Sequence, residues 1–348
     1  MSALRITTHQ LPLKHRFTIS RGSVDVQPTM IVELEHNGVR GYGEATSNDY
    51  YGQTIEHMAE VLSGVAPQIE RWNWTGETPA EWWDELHAGP LQSESFAHCA
   101  LDQAAWDLWS RIRGEPLWQA WNLDPATAPA SNFTIGIDDP ETMAAKLREE
   151  PGWPCYKIKL GTPRDVEIVE RLRRETDATF RVDANCGWTE ADTPRLAEAL
   201  VPLGVEFIGQ PLPADQWSAM VRLCPSSPLP FAADESCQQP ADVARCEGHF
   251  HIVNIKLVKC GGLTPARRMI EDARARGLKT MVGCMTESTV GIAAIAQLLP
   301  MLDYVDMDGA NLLAKDIASG PRVVRGHCKL NTTPGFGVEL TEAGERLL

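Results

Sequence analysis

The residues of this chain best suited to chemistry are lysines and carboxylates at the ends of β-prone runs. Lys157 and Lys159 stand two apart, Lys256 closes another run, and Asp183 sits in Val182-Asp183-Ala184-Asn185. Asp234 opens Asp234-Glu235-Ser236, and Asp306 and Asp308 flank Met307. Residues two apart on a strand face the same side, so Lys157 points with Lys159 and Asp306 with Asp308. Carboxylates with no thiolate or imidazole partner suit a hard cation such as Mg²⁺. A lysine of ordinary pKa, ~10.4, is a poor base at neutral pH, but burial and a neighbouring cation lower that value. Lys157 supplies such a neighbour to Lys159. Two opposed amines flanking a metal-held carboxylate can remove the adjacent proton and return it, while the metal carries the developing ene-diolate charge. Any one of these residues could simply be a charge at a wet strand end; their recurrence around one ring, whose interior is normally apolar, points to a shared site.

The elements that must position them have a rhythm. β-prone runs begin at Ser131, Cys155, Thr179, Val205, Pro230, Ile252, Lys279 and Tyr304, at spacings of 22–27 residues, with helix-like stretches between them. Strand and helix alternating at a steady period predict a (β/α)₈ barrel. An open doubly wound sheet is the runner-up, but no G-x-G-x-x-G follows the first strand. In a barrel, function gathers at the carboxyl ends of the strands, where these residues fall. Residues 126–320 are assigned to the barrel. Residues 1–125 read as an α+β capping domain: two extended runs surround a polar loop, Asn37-Gly38 is a hairpin turn, and Ser95–Gly114 carries an apolar helical stripe. Loops near 18–25 and 47–53 are expected to close the mouth. Residues 321–348 lose the rhythm and are expected to pack back onto the N-terminal domain.

Composition removes other classes. Of 348 residues, 43% are hydrophobic and 23% charged, as in ordinary globular chains. The net charge of −15 disfavours nucleic acid and anionic membrane surfaces. The longest apolar stretch, from Val290 to Leu302, is broken by Gln297 and Pro300, short of the ~18–20 residues a membrane span needs. The start of the chain lacks a basic stretch followed by an apolar one, and the nine cysteines form no C-x-x-C pair; a cytoplasmic location with reduced thiols is expected. A His/Cys zinc site is not expected, because no His pair has ligand spacing.

At these motifs the sequence resembles the enolase superfamily, in the subgroup with muconate lactonising enzymes and dipeptide epimerases. The likeness spans the whole chain and rests on Lys157-Ile158-Lys159, on Val182 to Asn185, on Ala233 to Ser236 and on Asn254-Ile255-Lys256. It implies that Lys159 and Lys256 are acid/base residues on opposite faces of the substrate α-carbon. It further implies that Lys157 lowers the pKa of Lys159 and touches the substrate carboxylate, and that Asp183 and Asp234 bind Mg²⁺. One departure stands out: the family has a glutamate before Gln-Pro as third metal ligand, and here Gly209 precedes Gln210-Pro211. Glu206 falls on the opposite strand face; Glu235 or water are the remaining substitutes. The expectation is a weakened but surviving metal site.

The resemblance also bears on substrate. A D-x-D at the end of strand eight grips the α-ammonium of a dipeptide in the resembling epimerases, which assigns Asp306 and Asp308; a helix cap or solvated loop charges are the plainer alternative. Thr134 and Cys284 are implied as substrate contacts. Arg21 could pair with a carboxylate, and Tyr50 or Tyr51 could wall an apolar pocket. Resembling epimerases that act on L-Ala-Glu often carry a further arginine shortly after the Arg-Gly-Ser, whereas here Val24-Asp25 follows Arg21-Gly22-Ser23, which weakens the assignment of an acidic side chain and leaves apolar, small or basic dipeptides open. The expected activity is Mg²⁺-dependent dipeptide epimerisation by 1,1-proton transfer on a small-molecule substrate, in an enzyme of a kind that commonly forms homo-oligomers. Its rivals are an N-acylamino acid racemase or o-succinylbenzoate synthase, and a catalytically weakened ligand-binding barrel.

Overall fold

The computed structural model describes residues 2–69, 71–74 and 76–345. The chain opens with an antiparallel sheet of β1 (Ser2–Ile19), β2 (Gly22–His36) and β3 (Val39–Thr46) in that order. Between β2 and β3 the turn is Asn37-Gly38, with φ of 50° and 83°, the two positive values a tight hairpin with native twist requires. At the other end, β1 and β2 stay paired through Phe17↔Val24, Thr18↔Ser23 and Ile19↔Gly22. The stretch expected to be a mouth loop at 18–25 is therefore a hairpin tip. Its polar residues carry no alternation of their own, and the ladder is propagated from apolar pairs such as Leu4↔Leu34 and Ile6↔Val32 at the base.

Three helices follow, α1 (Ile55–Ile69), α2 (Pro79–His87) and α3 (Ser95–Arg113), then a single turn, α4 (Leu117–Ala120). The stripe on α3 is buried at Ala97, Leu101, Ala104, Ala105 and Leu108. It ends at Gly114, whose φ of 73° is the left-handed stop that suits glycine. Gly41 and Gly43 let α3 lie against β3; a methyl group on either would collide with the α3 backbone at Leu108 or Ala100.

The barrel strands are β4 (Phe133–Ile135), β5 (Cys155–Lys159), β6 (Thr179–Asp183), β7 (Val205–Gly209), β8 (Phe231–Ala233), β9 (Ile252–Ile255), β10 (Lys279–Gly283) and β11 (Tyr304–Asp306). Helices alternate with them: α5 (Pro140–Glu149), α6 (Asp165–Arg173), α7 (Thr193–Leu200), α8 (Trp217–Leu223), α9 (Pro240–Cys246), α10 (Leu257–Cys260), α11 (Leu263–Ala275) and α12 (Thr289–Ala296). The eight strands pair in parallel and in chain order. Among the described residues no ladder joins β4 to β11, so the cylinder is nearly closed, and side chains bridge the seam. Asn132 donates to Asp306 Oδ1 at 2.8 Å, the Thr134 N–H donates to Asp308 Oδ2 at 2.6 Å, and the Met307 N–H donates to Ser131 Oγ at 3.0 Å. Asp234, Lys256 and Asp308 stand just beyond their strands rather than within them.

Buried acids of the N-terminal elements fasten them to the barrel. Glu44 on β3 accepts from the N–H groups of Ser288 and Gly291 at the start of α12, and Asp102 on α3 accepts from Thr264 at the start of α11. Each carboxylate faces the positive end of a helix dipole. Asp107 takes the Tyr42 and Phe336 N–H groups, so the C-terminal segment packs on α3. Among the described residues no helix is long and apolar enough to cross a membrane.

Candidate active site

Register does the positioning. Lys159 pairs with Asp183, and Asp183 with Gly209, so three neighbouring strands present these residues side by side. With eight strands in chain order, β5 and β9 are four apart either way round. Lys159 ends the first and Lys256 follows the second, across the ring from each other. A cavity of about 420 Å³ opens between them, lined by Lys157, Lys159, Lys256, Thr134, Asp306 and Asp308. Arg21, Tyr51 and Cys284 also face it.

Asp183 and Asp234 are not on the cavity surface; each is held by two ammonium groups. Asp183 Oδ2 lies 2.8 Å from Lys159 Nζ and 3.0 Å from Lys157 Nζ. Asp234 lies 3.1 Å from Lys256 Nζ and 2.8 Å from Lys259 Nζ, and accepts from Asn254 at 2.8 Å. Burial opposes ionisation of both aspartates, but these lysines outweigh it and hold both below the usual carboxylate range. The two central amines differ. Burial lowers the pKa of Lys159, and the charges of Lys157 and Lys256 add to that against the pull of Asp183. Burial also acts on Lys256, but Asp234 overrides it and the value is raised. Lys159 is the easier of the two to have as free amine.

The Asp-x-Asp pair departs from the simplest expectation. Asp306 is 2.6 Å from Lys157 Nζ, so the lysine implied for the substrate carboxylate bridges Asp183 and Asp306 instead. These buried opposite charges neutralise one another. Against burial, Lys157 brings the Asp306 carboxyl down to about 2. Asp308 has no lysine partner; burial, then the charge of Asp306, push it well above the normal range, and Thr134 donates to it through N–H and Oγ1. Cys284 Sγ lies within 4.8 Å of oxygens from both aspartates.

Two further sequence candidates come from the cap. The hairpin tip brings Arg21 down to Asn185 O at 2.8 Å and Glu235 Oε1 at 2.7 Å, with its guanidinium 4.3 Å over the Tyr50 ring. The carboxylate that Arg21 meets is the protein's own. Tyr51 packs on Phe96 at 5.6 Å. Two residues that the sequence reading did not single out also shape the site. Lys259 lies one turn beyond Lys256 on a helix too short to show a period, and Asn132 reads from sequence as an ordinary polar residue before β4.

The donor set fits an oxygen-coordinated cation. Asp183 and Asp234 are ionised carboxylates, hard oxygen donors of the kind such a cation takes. Gly209 adds nothing, although a Cβ there would sit 3.3 Å from Asp183 Cγ, so a side chain at this position would enter beside that carboxylate. Glu206 is turned away and pairs with Arg181 at 2.9 Å. Glu235, 2% exposed, has one oxygen, Oε2, with no hydrogen-bond partner. A buried carboxylate oxygen without a partner is a rare, costly feature that a cation or its water would satisfy.

Comparison with known proteins agrees with this architecture. Residues 1–120 match the mandelate racemase / muconate lactonizing enzyme N-terminal domain, and residues 141–344 the enolase C-terminal domain-like family. An L-Ala-D/L-amino acid epimerase of Flavobacterium johnsoniae is 51% identical over 97% of this chain and 99% of its own length. An L-Ala-D/L-Glu epimerase of Bacteroides thetaiotaomicron is 38% identical over 95% of this chain and 86% of its own. A dipeptide epimerase of Methylococcus capsulatus, solved with Mg and L-Arg-D-Lys, superposes with a TM-score of 0.87 at 32% identity, over 97% of this chain and 99% of that one. With both halves matched and the strand-end residues in register, this chain belongs to the mandelate racemase / muconate lactonizing branch of the enolase superfamily.

Proposed function

We propose that this protein is a Mg²⁺-dependent dipeptide epimerase that inverts the α-carbon of the C-terminal residue by 1,1-proton transfer. The observation that carries the reading is the placement of Lys159 and Lys256 across the ring, each against an ionised aspartate. Asp183 and Asp234 would hold the cation; bound Mg²⁺ supplies positive charge to the substrate carboxylate as the α-proton departs. Lys159, with its lowered pKa, takes the proton from one face as free amine, and Lys256, held as ammonium by Asp234, donates to the other. For the opposite epimer the roles reverse. Asp308, which has no lysine of its own, and Asp306 receive the substrate ammonium, and Lys157 turns from Asp306 towards the substrate carboxylate.

The side-chain preference follows from the upper wall, where Phe17, Ile19, Val24, Met285 and Leu312 line the cavity. Arg21 is already engaged by Glu235 and is not free for an acidic side chain. Small or apolar C-terminal residues fit this wall, in keeping with the breadth implied by the name of the 51%-identical relative.

The test is proton exchange in D₂O followed by NMR. Lys256→Ala should slow epimerisation by about 10²–10⁴-fold, the usual worth of a positioned acid/base. One epimer, the one deprotonated by Lys159, should still exchange its α-proton. If that variant exchanged both epimers as fast as the parent enzyme, the two-base scheme would be wrong.

A further inference from the structure

We infer that Glu235, through its unpartnered Oε2, supplies the third acidic group of the cation site. The inference rests on the reading of Asp183 and Asp234 as Mg²⁺ ligands and extends it. Glu235 adjoins Asp234 in sequence. It is tied to Asp183 through Asn185, whose side-chain amide donates to Glu235 Oε1 at 3.3 Å while its N–H donates to Asp183 Oδ1 at 3.0 Å. Arg21, 2.7 Å from Oε1, completes the anchoring of that oxygen and leaves Oε2 buried and unused. A carboxylate fixed by one oxygen, with the other meeting no donor among the described residues, is arranged for a ligand rather than for the fold.

The third position is open for a physical reason: Gly209 stands opposite Asp183 in register and has no side chain to fill the space beside it. Among the described residues, Cys284, Asp306 and Asp308 are the one set of three such donors within 4.8 Å of one another. Asp183, Asp234 and Glu235 therefore do not bring three ligand oxygens within that mutual distance, and Glu235 acts by hydrogen-bonding a water of the cation's own shell. Mg²⁺ retains such waters readily. Glu235 also borders a second cavity on the barrel flank, beside His98 and Lys259, so the test must separate a role towards the cation from one towards that cavity.

Isothermal titration of Mg²⁺ does so, with four proteins: the parent, Glu235→Gln, Gly209→Glu and the double variant. Gly209→Glu should tighten binding. Glu235→Gln should weaken it in the parent by about fivefold or more beyond its effect in the Gly209→Glu background, because a side-chain carboxylate at 209 makes the Glu235 oxygen redundant. Equal losses in the two backgrounds, or no loss in the parent, would overturn the inference while leaving Asp183 and Asp234 as ligands. Absence of Mg²⁺ binding in all four would remove the metal reading itself, and this inference with it. Should Glu235→Gln fail to fold by circular dichroism, Glu235→Asp, which keeps the charge but withdraws the oxygen, takes its place with the same expected difference.

Discussion

Asp308 is buried, accepts two hydrogen bonds from Thr134 and among the described residues has no ion-pair partner, whereas Asp306 two residues earlier is neutralised by Lys157. Under the proposed function, a substrate ammonium would pair with Asp308. Asp308→Asn leaves the Lys157–Asp306 pair intact. It should lower kcat/KM for dipeptides about 10- to 100-fold, the cost of losing one partner of a buried charge pair, while N-acylated amino acids lose little. Steady-state kinetics on both substrate types decides the matter, and an equal loss on the two would assign Asp308 to closing the barrel seam. The residue types were readable from the chain: lysines two apart, Val-Asp-Ala-Asn, Asp-x-Asp. Their pairing was not. That Lys157 would bridge Asp183 and Asp306 depends on three strands, one of them more than a hundred residues away along the chain, converging on one point.

The strand rhythm, the α3 stripe and the Asn37-Gly38 turn could be read locally because each is a pattern of period or of backbone permission. The 18–25 hairpin tip could not, because its pairing is inherited from the base of the ladder. Close packing of elements leaves its trace mainly in glycine. Gly43→Ala, whose methyl group would meet the Ala100 carbonyl and Ala104 N–H, should destabilise the protein by about 1–3 kcal/mol. Gly64→Ala, on α1 with nothing within 4 Å of the new carbon, should instead stabilise by about 0.5–1 kcal/mol. Urea unfolding of the pair checks both signs; a neutral Gly43→Ala would mean that α3 lies farther from the sheet than described.

Across the whole molecule, the cap and barrel meet through buried acids, and this sets a pH dependence. Burial, then the charge of Glu44, raise Glu287 from 4.5 to about 8. The folded chain therefore binds a proton more tightly than the unfolded one, so the stabilisation is complete below about 4.5 and is lost as pH rises through about 8. Within that window stability should fall by up to about 1.4 kcal/mol per pH unit from this group. Glu287→Gln, which keeps the oxygen that accepts from the Met285 N–H, should flatten the slope measured by thermal unfolding from pH 5 to 8. An unchanged slope would remove Glu287 as its source. Sequence alone was enough for the barrel, its cap and the kinds of group at the mouth, because period, turn chemistry and residue type are local properties. Which lysine neutralises which carboxylate, that Arg21 is spent on Glu235, and that one oxygen of Glu235 is left without a partner were settled only by tertiary structure. Electrostatic pairing and hydrogen-bond satisfaction depend on distances of a few ångströms between residues far apart in the chain.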